Sequence, residues 1–262
     1  MNETGLQLNS KPGNGVAIKG SKNITSITSG KKSKTVSVLA CASAEGTFLP
    51  PYCIMKGKNL KVEFMDGMPS GLVVKMSQKS SYVTSEIFLC WLRSHFEPGK
   101  LGWKVLLLLD GHTLHTSLLE VLVYTEQEGI ILMSIPPHTS HWLQHLDRPF
   151  FKSLKSYFYS ACNYFITNNP SRKTNHLQFG KLLNSAWTKA AGVQNSVSGF
   201  QACGIVPLDM SVIPAYAYLE PDSSGAVPIV QVLAHTLASA PIGEVDPVAS
   251  AMQNLSANTS ML

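Results

Sequence analysis

An α/β layer fold is what the chain predicts, on three observations. Thr35 to Ser43 alternates and is β-branched, Thr84 to Phe96 carries apolar residues at helical spacing, and two buried-strand patterns, the unbroken apolar run Val105–Leu109 and the stretch Ile130–Ile135, flank a second helical stretch. Strands interleaved with helices in this order stack helices on a sheet.

The elements follow in order. Residues 6 to 35 are rich in Gly, Ser, Lys and Asn, and the turn signals Pro12-Gly13-Asn14-Gly15 and Ser29-Gly30-Lys31-Lys32 predict short hairpin strands. Gly46 marks a turn after the Thr35–Ser43 strand, and Phe48 to Lys56 is a second, antiparallel strand whose Pro50 and Pro51 put it at an edge or a bulge. Lys58 to Ser81 reads as an irregular connector. Thr84 caps a helix to about Phe96, with Ile87, Phe88, Trp91, Leu92 and His95 on one face, stopped by Pro98-Gly99. Val105–Leu109 ends at Asp110 and Ile130–Ile135 is closed by Pro136-Pro137, the pattern of strands buried on both faces. Between them a helix runs from about Thr116 to Glu126 and ends at Gly129. Phe150 to Asn168 is helical and aromatic, Pro170 interrupts, and a further helix spans Leu177 to Ala191, before a packed turn at Phe200 to Pro207. Trp91, Trp187, Cys41 and Cys53 read as core. After Tyr218 the chain turns to Ala, Ser and Pro without a basic residue. The expected organisation is a core over 1–157, its C-terminal helical part over 158–216, and a low-complexity tail without fixed fold over 217–262.

Composition excludes several classes. With 262 residues, 14% charged and 44% apolar, a sizeable core can be buried, so charge-driven disorder of the whole chain is excluded. The longest aliphatic runs, Val105–Leu109 and Ile130–Met133, fall far short of the roughly 20 residues of a membrane span. Met1 to Gly5 has neither basic nor apolar signal character. Five cysteines, an odd number without CxxC spacing, predict a reduced intracellular compartment.

The net charge of +5 is unevenly spread. Residues 1–104 hold 14 Lys/Arg against 6 Asp/Glu, 105–147 hold none against 5, and 148–216 hold 7 against Asp209 alone. An acidic block with five of the eight histidines between two basic blocks suits a carboxylate metal site in a polyanion groove. Ordinary solvated basic faces give the same counts.

Two motifs carry chemistry. "LLLLDGHTLH", Leu106 to His115, delivers Asp110 at the C-terminal end of a strand, the edge where α/β sheets gather ligands; a strand-end Asp also serves as a plain cap. "SIPPHTSHWLQHLDRPFFKSLK", Ser134 to Lys155, places His138, His141, His145 and Asp147 after the next strand. Asp110 and Asp147 are hard oxygen donors that could bracket Mg²⁺. The spacings His112-x-x-His115 and His138-x-x-His141 resemble zinc sites, but no cysteine or HExxH accompanies them, so these four histidines are assigned to hydrogen bonding behind the carboxylates. No GxxxxGK[ST], GxGxxG or GxSxG occurs, which leaves a nucleotide cofactor and serine-hydrolase chemistry without support.

In the same order, "NETGLQL", "KGSKNITSITSG", "TVSVLACASAEGTFLPPYCIMKGKN", "LLLLDGHTLH", "IPPHTSHWLQHLDRPFFKSLK" and "SGFQACGIVPLD" make the chain resemble, over roughly residues 1–216, the pogo, Tigger and jerky-like transposases. These are DDE superfamily endonucleases related to centromere protein B. The resemblance implies a ribonuclease H-like mixed sheet flanked by helices, with three acidic residues around two Mg²⁺ (or Mn²⁺) ions that cut and join DNA. It further implies DNA as partner, allows a homodimer, and points to the nucleus. The second and third acidic positions fall on Asp110 and Asp147, while the first falls on Asn2, whose amide adds no negative charge. His145 and Arg148-Pro149 also depart from the family pattern. The family's central first strand ends near the first acidic position, so a chain starting at Met1 is expected to lack that strand, and the helix-turn-helix region too. The resulting expectation is a DNA-binding domain with degenerate nuclease chemistry. The alternatives are an active Mg-dependent endonuclease and strand transferase, with Glu3 or a water standing in for Asn2, and a domesticated protein-interaction module.

Overall fold

A computed structural model describes residues 1–8, 35–100, 102–110, 118–136, 138–169 and 174–214. The hairpins expected within 9–34, His112 and His115, and the tail 217–262 lie outside the described residues. The chain divides into two units, Met1–Ile213 and Pro214–Leu262, and the first carries all the elements below.

Four strands form one sheet in sequence order: β1 (Asn2–Gln7), β2 (Thr35–Ala40), β3 (Tyr52–Lys56) and β4 (Val73–Ser77). The first two pairings are antiparallel, with Asn2 opposite Ala40 and Val36 opposite Met55; β4 joins β3 in parallel, Tyr52 opposite Val73. Two expectations are corrected here. The segment 58–81 contains β4, and β3 is interior rather than an edge, because Pro50 and Pro51 precede the strand and take no donor from its ladder.

Alternation along β2 and β3 gives the sheet two apolar faces. Val36, Val38, Cys53 and Met55, with Leu6 of β1, meet Phe150, Leu154 and Phe158 of α4 (Phe150–Asn168) and Phe179 and Leu183 of α5 (His176–Ala190). Leu39, Tyr52 and Ile54 meet Ile87, Phe88 and Trp91 of α1 (Ser85–Trp91) on the other side. As expected, Thr84 caps α1, its Oγ1 accepting from the Ile87 N–H at 3.4 Å, and the helix runs on through a π-helical turn at Leu92–Phe96. Asn175 and Gln178 close α5 with a reciprocal capping box. The stretch expected to be a packed turn begins inside a helix instead: α6 (Val193–Ala202) carries buried Phe200.

A second, two-stranded parallel sheet pairs β5 (Val105–Leu109) with β6 (Ile130–Ser134), connected through α2 (Leu119–Gln127). The sequence predicts both strands buried on both faces; the structure buries one. Leu107, Leu109 and Ile130 pack with Val121 of α2, whereas Leu106 (52% exposed) and Ile131 (56%) stand open on the opposite face. An apolar run cannot tell these cases apart, since every position is apolar either way. The mixed α/β class holds, but the single mixed sheet is found as two ladders. Met1 bridges them: its amino group donates to the Leu108 carbonyl of β5 at 2.7 Å. All five cysteines are free; Cys41, Cys53, Cys162 and Cys203 are buried and Cys90 is partly exposed.

Candidate carboxylate site

The Met1–Leu108 bond sets the start of β1 beside the end of β5, so Asn2 and Asp110, the residue after Leu109, come to the same end of the molecule. Asn2 is buried on the face of β1 that looks toward α4, the same parity as Thr4 and Leu6. Asp147 lies in the turn between the short helix α3, Ser140–Leu143 in the chain, and α4, its N–H donating to the Gln144 carbonyl at 3.1 Å.

Asn2 and Asp147 are in contact. The Asn2 Nδ2 donates to Asp147 Oδ1 at 3.2 Å, and Asn2 Oδ1 accepts from the Glu3 N–H at 2.7 Å. A backbone N–H can only donate, so the amide oxygen must face Glu3 and the NH₂ must face the carboxylate. Partial burial holds the Asp147 carboxyl above its ordinary range, and the nearby Asp110 charge adds to this, while Lys155 and the Asn2 hydrogen bond pull it back down. Two carboxylates thus share one environment, with an amide donor in the third position.

Glu3 does not replace Asn2. One residue along a strand reverses the side chain's face, and Glu3 Oε2 accepts from the Val83 N–H at 3.2 Å on the α1 side. His138 and His141 are exposed, in and just after the turn that follows β6; among the described residues neither ring hydrogen-bonds Asp110 or Asp147.

The sequence marks His145 as one of the histidines after β6 and as a departure from the family pattern. It is 1% exposed, its ring stacks on Phe200 at 4.1 Å between centroids, and neither ring nitrogen has a hydrogen-bond partner among the described residues. Burial first, then the Met1 ammonium, pulls its pKa down to about 2, so the ring is neutral. Its neighbour Gln144 is equally buried. A polar pair inside an apolar stretch leaves no periodic signature that would have flagged it.

The donor set fits a divalent ion only in part. Asp110 and Asp147 supply the one or two carboxylates with which Mg²⁺ is commonly held, the rest of its shell being water. Asn2 offers a hydrogen-bond donor where a ligand oxygen would be needed, and among the described residues no group of three or more His, Cys, Asp and Glu is placed to hold a metal.

A family model described as DDE superfamily endonuclease matches residues 32–200, a span that takes in Asp110 and Asp147 and leaves Asn2 outside. A protein of Cochliobolus lunatus named MFS-type transporter clz9 is 28% identical over 183 residues, which is 68% of this chain and 20% of that protein. The chain thus spans about a fifth of that relative's length, and no described helix is long and apolar enough to cross a membrane. No solved structure matches.

Proposed function

Because the chain belongs to the family of DDE superfamily endonucleases, we propose that it is a transposase-derived domain of the pogo, Tigger and jerky-like type that binds DNA with degenerate nuclease chemistry. The observation that carries this reading is the Asn2–Asp147 hydrogen bond: the first acidic position holds an amide that donates to the third. With two carboxylates, balancing two dications is harder than with three, and one ion held by Asp110 and Asp147 is the arrangement the residues favour. Such an ion would polarise a phosphate oxygen and its bound water. Lys155, whose charge acts on Asp147, adds positive potential beside the same carboxylates.

DNA is the proposed partner because basic blocks flank the acidic one, 14 Lys/Arg over 1–104 and 7 over 148–216. Phosphate neutralisation by these residues releases counterions, so binding should weaken steeply with salt and carry no sequence preference of its own. The nucleus is the compartment that goes with this reading, and a homodimer is compatible with it. An active endonuclease that borrows Glu3 is disfavoured by the Glu3–Val83 contact on the opposite face.

The test is plasmid nicking in Mg²⁺ or Mn²⁺ by the native chain, Asn2→Asp and Asp110→Ala, with salt-dependent DNA retention measured in parallel. Retention without nicking is expected of the native chain. Nicking that Asp110→Ala abolishes would overturn the degenerate reading, and absence of retention at low salt would overturn DNA binding.

A further inference from the structure

The helices on the two sides of the four-stranded sheet differ in charge. α4 and α5 contain no Asp or Glu. The side chains that α4 turns to solvent include Lys152, Ser156, Tyr157, Ser160 and Tyr164, and those of α5 include Lys181, Ser185, Thr188 and Lys189. On the opposite side, α1 and α2 carry Glu86, Glu120 and Glu126, all exposed, and no Lys or Arg; Arg93, just beyond α1, is held 5.1 Å over the Tyr124 ring. A solvent face needs polar groups, but nothing in solvation requires two neighbouring helices to leave out the same sign of charge.

The two exposed stripes form one surface. Phe150 meets Trp187 at 5.4 Å between ring centroids and Phe158 meets Phe179 at 5.7 Å, so α4 and α5 run antiparallel, side by side. Lys189 Nζ lies 5.9 Å from the centre of the Tyr157 ring, which sets the solvent side of α5 next to that of α4. Beside α5 a depression of about 430 Å³ is lined by Gly67, Lys181, Asn184, Ser185, Thr188 and Lys189. Each of these side chains, the glycine apart, can donate a hydrogen bond. Acids enter the neighbourhood only with the turn Val62–Met65 that packs on α5: Glu63 is exposed, and Asp66 pairs with Lys181 at 2.9 Å with both side chains exposed, among the described residues. An exposed pair of this kind holds its lysine weakly and yields it to a phosphate.

We propose that the α4–α5 face seats the sugar–phosphate backbone of duplex DNA on the approach to Asp147. The inference rests on the DNA-binding reading and adds to it where the duplex lies. Charge decides the class of partner: lysines set among hydroxyl and amide donors, with no carboxylate on either helix, favour a polyanion. Width decides what is touched. Two helices packed side by side measure about 20 Å across, more than the roughly 12 Å of a major groove, so the pair rests on phosphates and does not enter to read bases. α4 is about 28 Å long, which matches roughly eight base pairs of a duplex lying along it. Lys152 and Lys155 lie in the first two turns of α4, the helix that Asp147 precedes, so the face leads to the carboxylates.

The test is fluorescence anisotropy of a labelled duplex of about 20 base pairs with the full chain, without metal, from about 50 to 200 mM salt. Lys152→Glu with Lys189→Glu is compared with Lys79→Glu and Lys104→Glu, an equal change of net charge on the opposite side, where Lys79 acts on Glu86 and Lys104 lies against Gly129. The first pair should weaken binding by about tenfold or more and reduce the slope of log affinity against log salt by about two. The second pair should change affinity by less than about threefold, with the slope kept. In parallel, acetylation of lysines in the native chain, read by mass spectrometry, should be slowed by the duplex at Lys152, Lys181 and Lys189 and not at Lys79 or Lys104. That readout needs no variant to fold. Equal losses in the two double variants, unchanged affinity in the first, or unaltered acetylation at Lys152 and Lys189 would overturn the proposal, while binding by the native chain leaves the DNA-binding reading standing. No binding by the native chain at the lowest salt would remove both.

Discussion

Asn2 presents its amide nitrogen, not its oxygen, to Asp147 Oδ1 at 3.2 Å, and the Glu3 N–H holds it that way. The position that the family resemblance assigns to a first acid instead donates a hydrogen bond to Asp147. A carboxylate at Asn2 would meet both the Glu3 N–H and two like charges.

Asn2→Asp should therefore tighten Mg²⁺ or Mn²⁺ binding by on the order of tenfold, since ligand charge sets affinity for hard cations. Without metal the same variant should lose about 1–2 kcal/mol of stability, from the lost hydrogen bond and from carboxylate repulsion. Calorimetric titration and urea melts with and without metal measure the two effects.

His145 predicts an acid limb. Its folded pKa of about 2 lies below the unfolded value of about 6.5, so the unfolded chain binds the proton first. Stability is then full above about pH 6.5 and falls as pH drops toward 2, with a slope approaching about 1.4 kcal/mol per unit. Asp147, whose carboxyl is raised, acts in the opposite sense as pH climbs above about 3.8. Urea midpoints at pH 5 and pH 7 should differ in the native chain, and the difference should shrink in His145→Leu.

Gly199→Ala tests the seat of the turn that carries Asp147. A Cβ at Gly199 would come within 2.5 Å of the His145 carbonyl oxygen, a backbone atom that cannot swing aside. The variant should be destabilised by about 1–3 kcal/mol and should shift the Asp147 resonances, read by urea titration and by NMR.

What could be read from the sequence had local causes. The helices Phe150–Asn168 and His176–Ala190 follow from apolar spacing over many residues, broken at Pro170, and Thr84 announces its helix by chemistry alone. The strand Val73–Ser77 has no such mark: five residues without clean alternation become a strand only because β3 offers its edge. The exposed side of Leu106 and Ile131 was hidden because burial depends on what lies above the sheet, not on the run itself. Asp110, Asp147 and Asn2 were legible as a set through resemblance. The orientation of the Asn2 amide, set by the Glu3 N–H, was not, and neither was the isolation of His145.

Asn175→Ala should cost about 1 kcal/mol, because its side chain accepts from the Leu177 N–H at 2.8 Å and its own N–H donates to Gln178. Circular dichroism melts beside Gln178→Ala and the double variant would show the two losses to be less than additive, as a reciprocal pair requires.

The distribution of thiols turns the molecule into its own recorder of opening. Burial raises the Cys41, Cys53, Cys162 and Cys203 thiols and shuts them from solvent, while Cys90 lies 3.8 Å from Lys75 Nζ at the surface. A thiol reagent should therefore take up one equivalent at once and four more only as the layers part. Cys53 and Cys162 line the core between the sheet and the helices Phe150–Asn168 and His176–Ala190, and Cys41 belongs to the core on the α1 side. The order in which they become modified would time-stamp which layer separates first, with no substitution in the sequence.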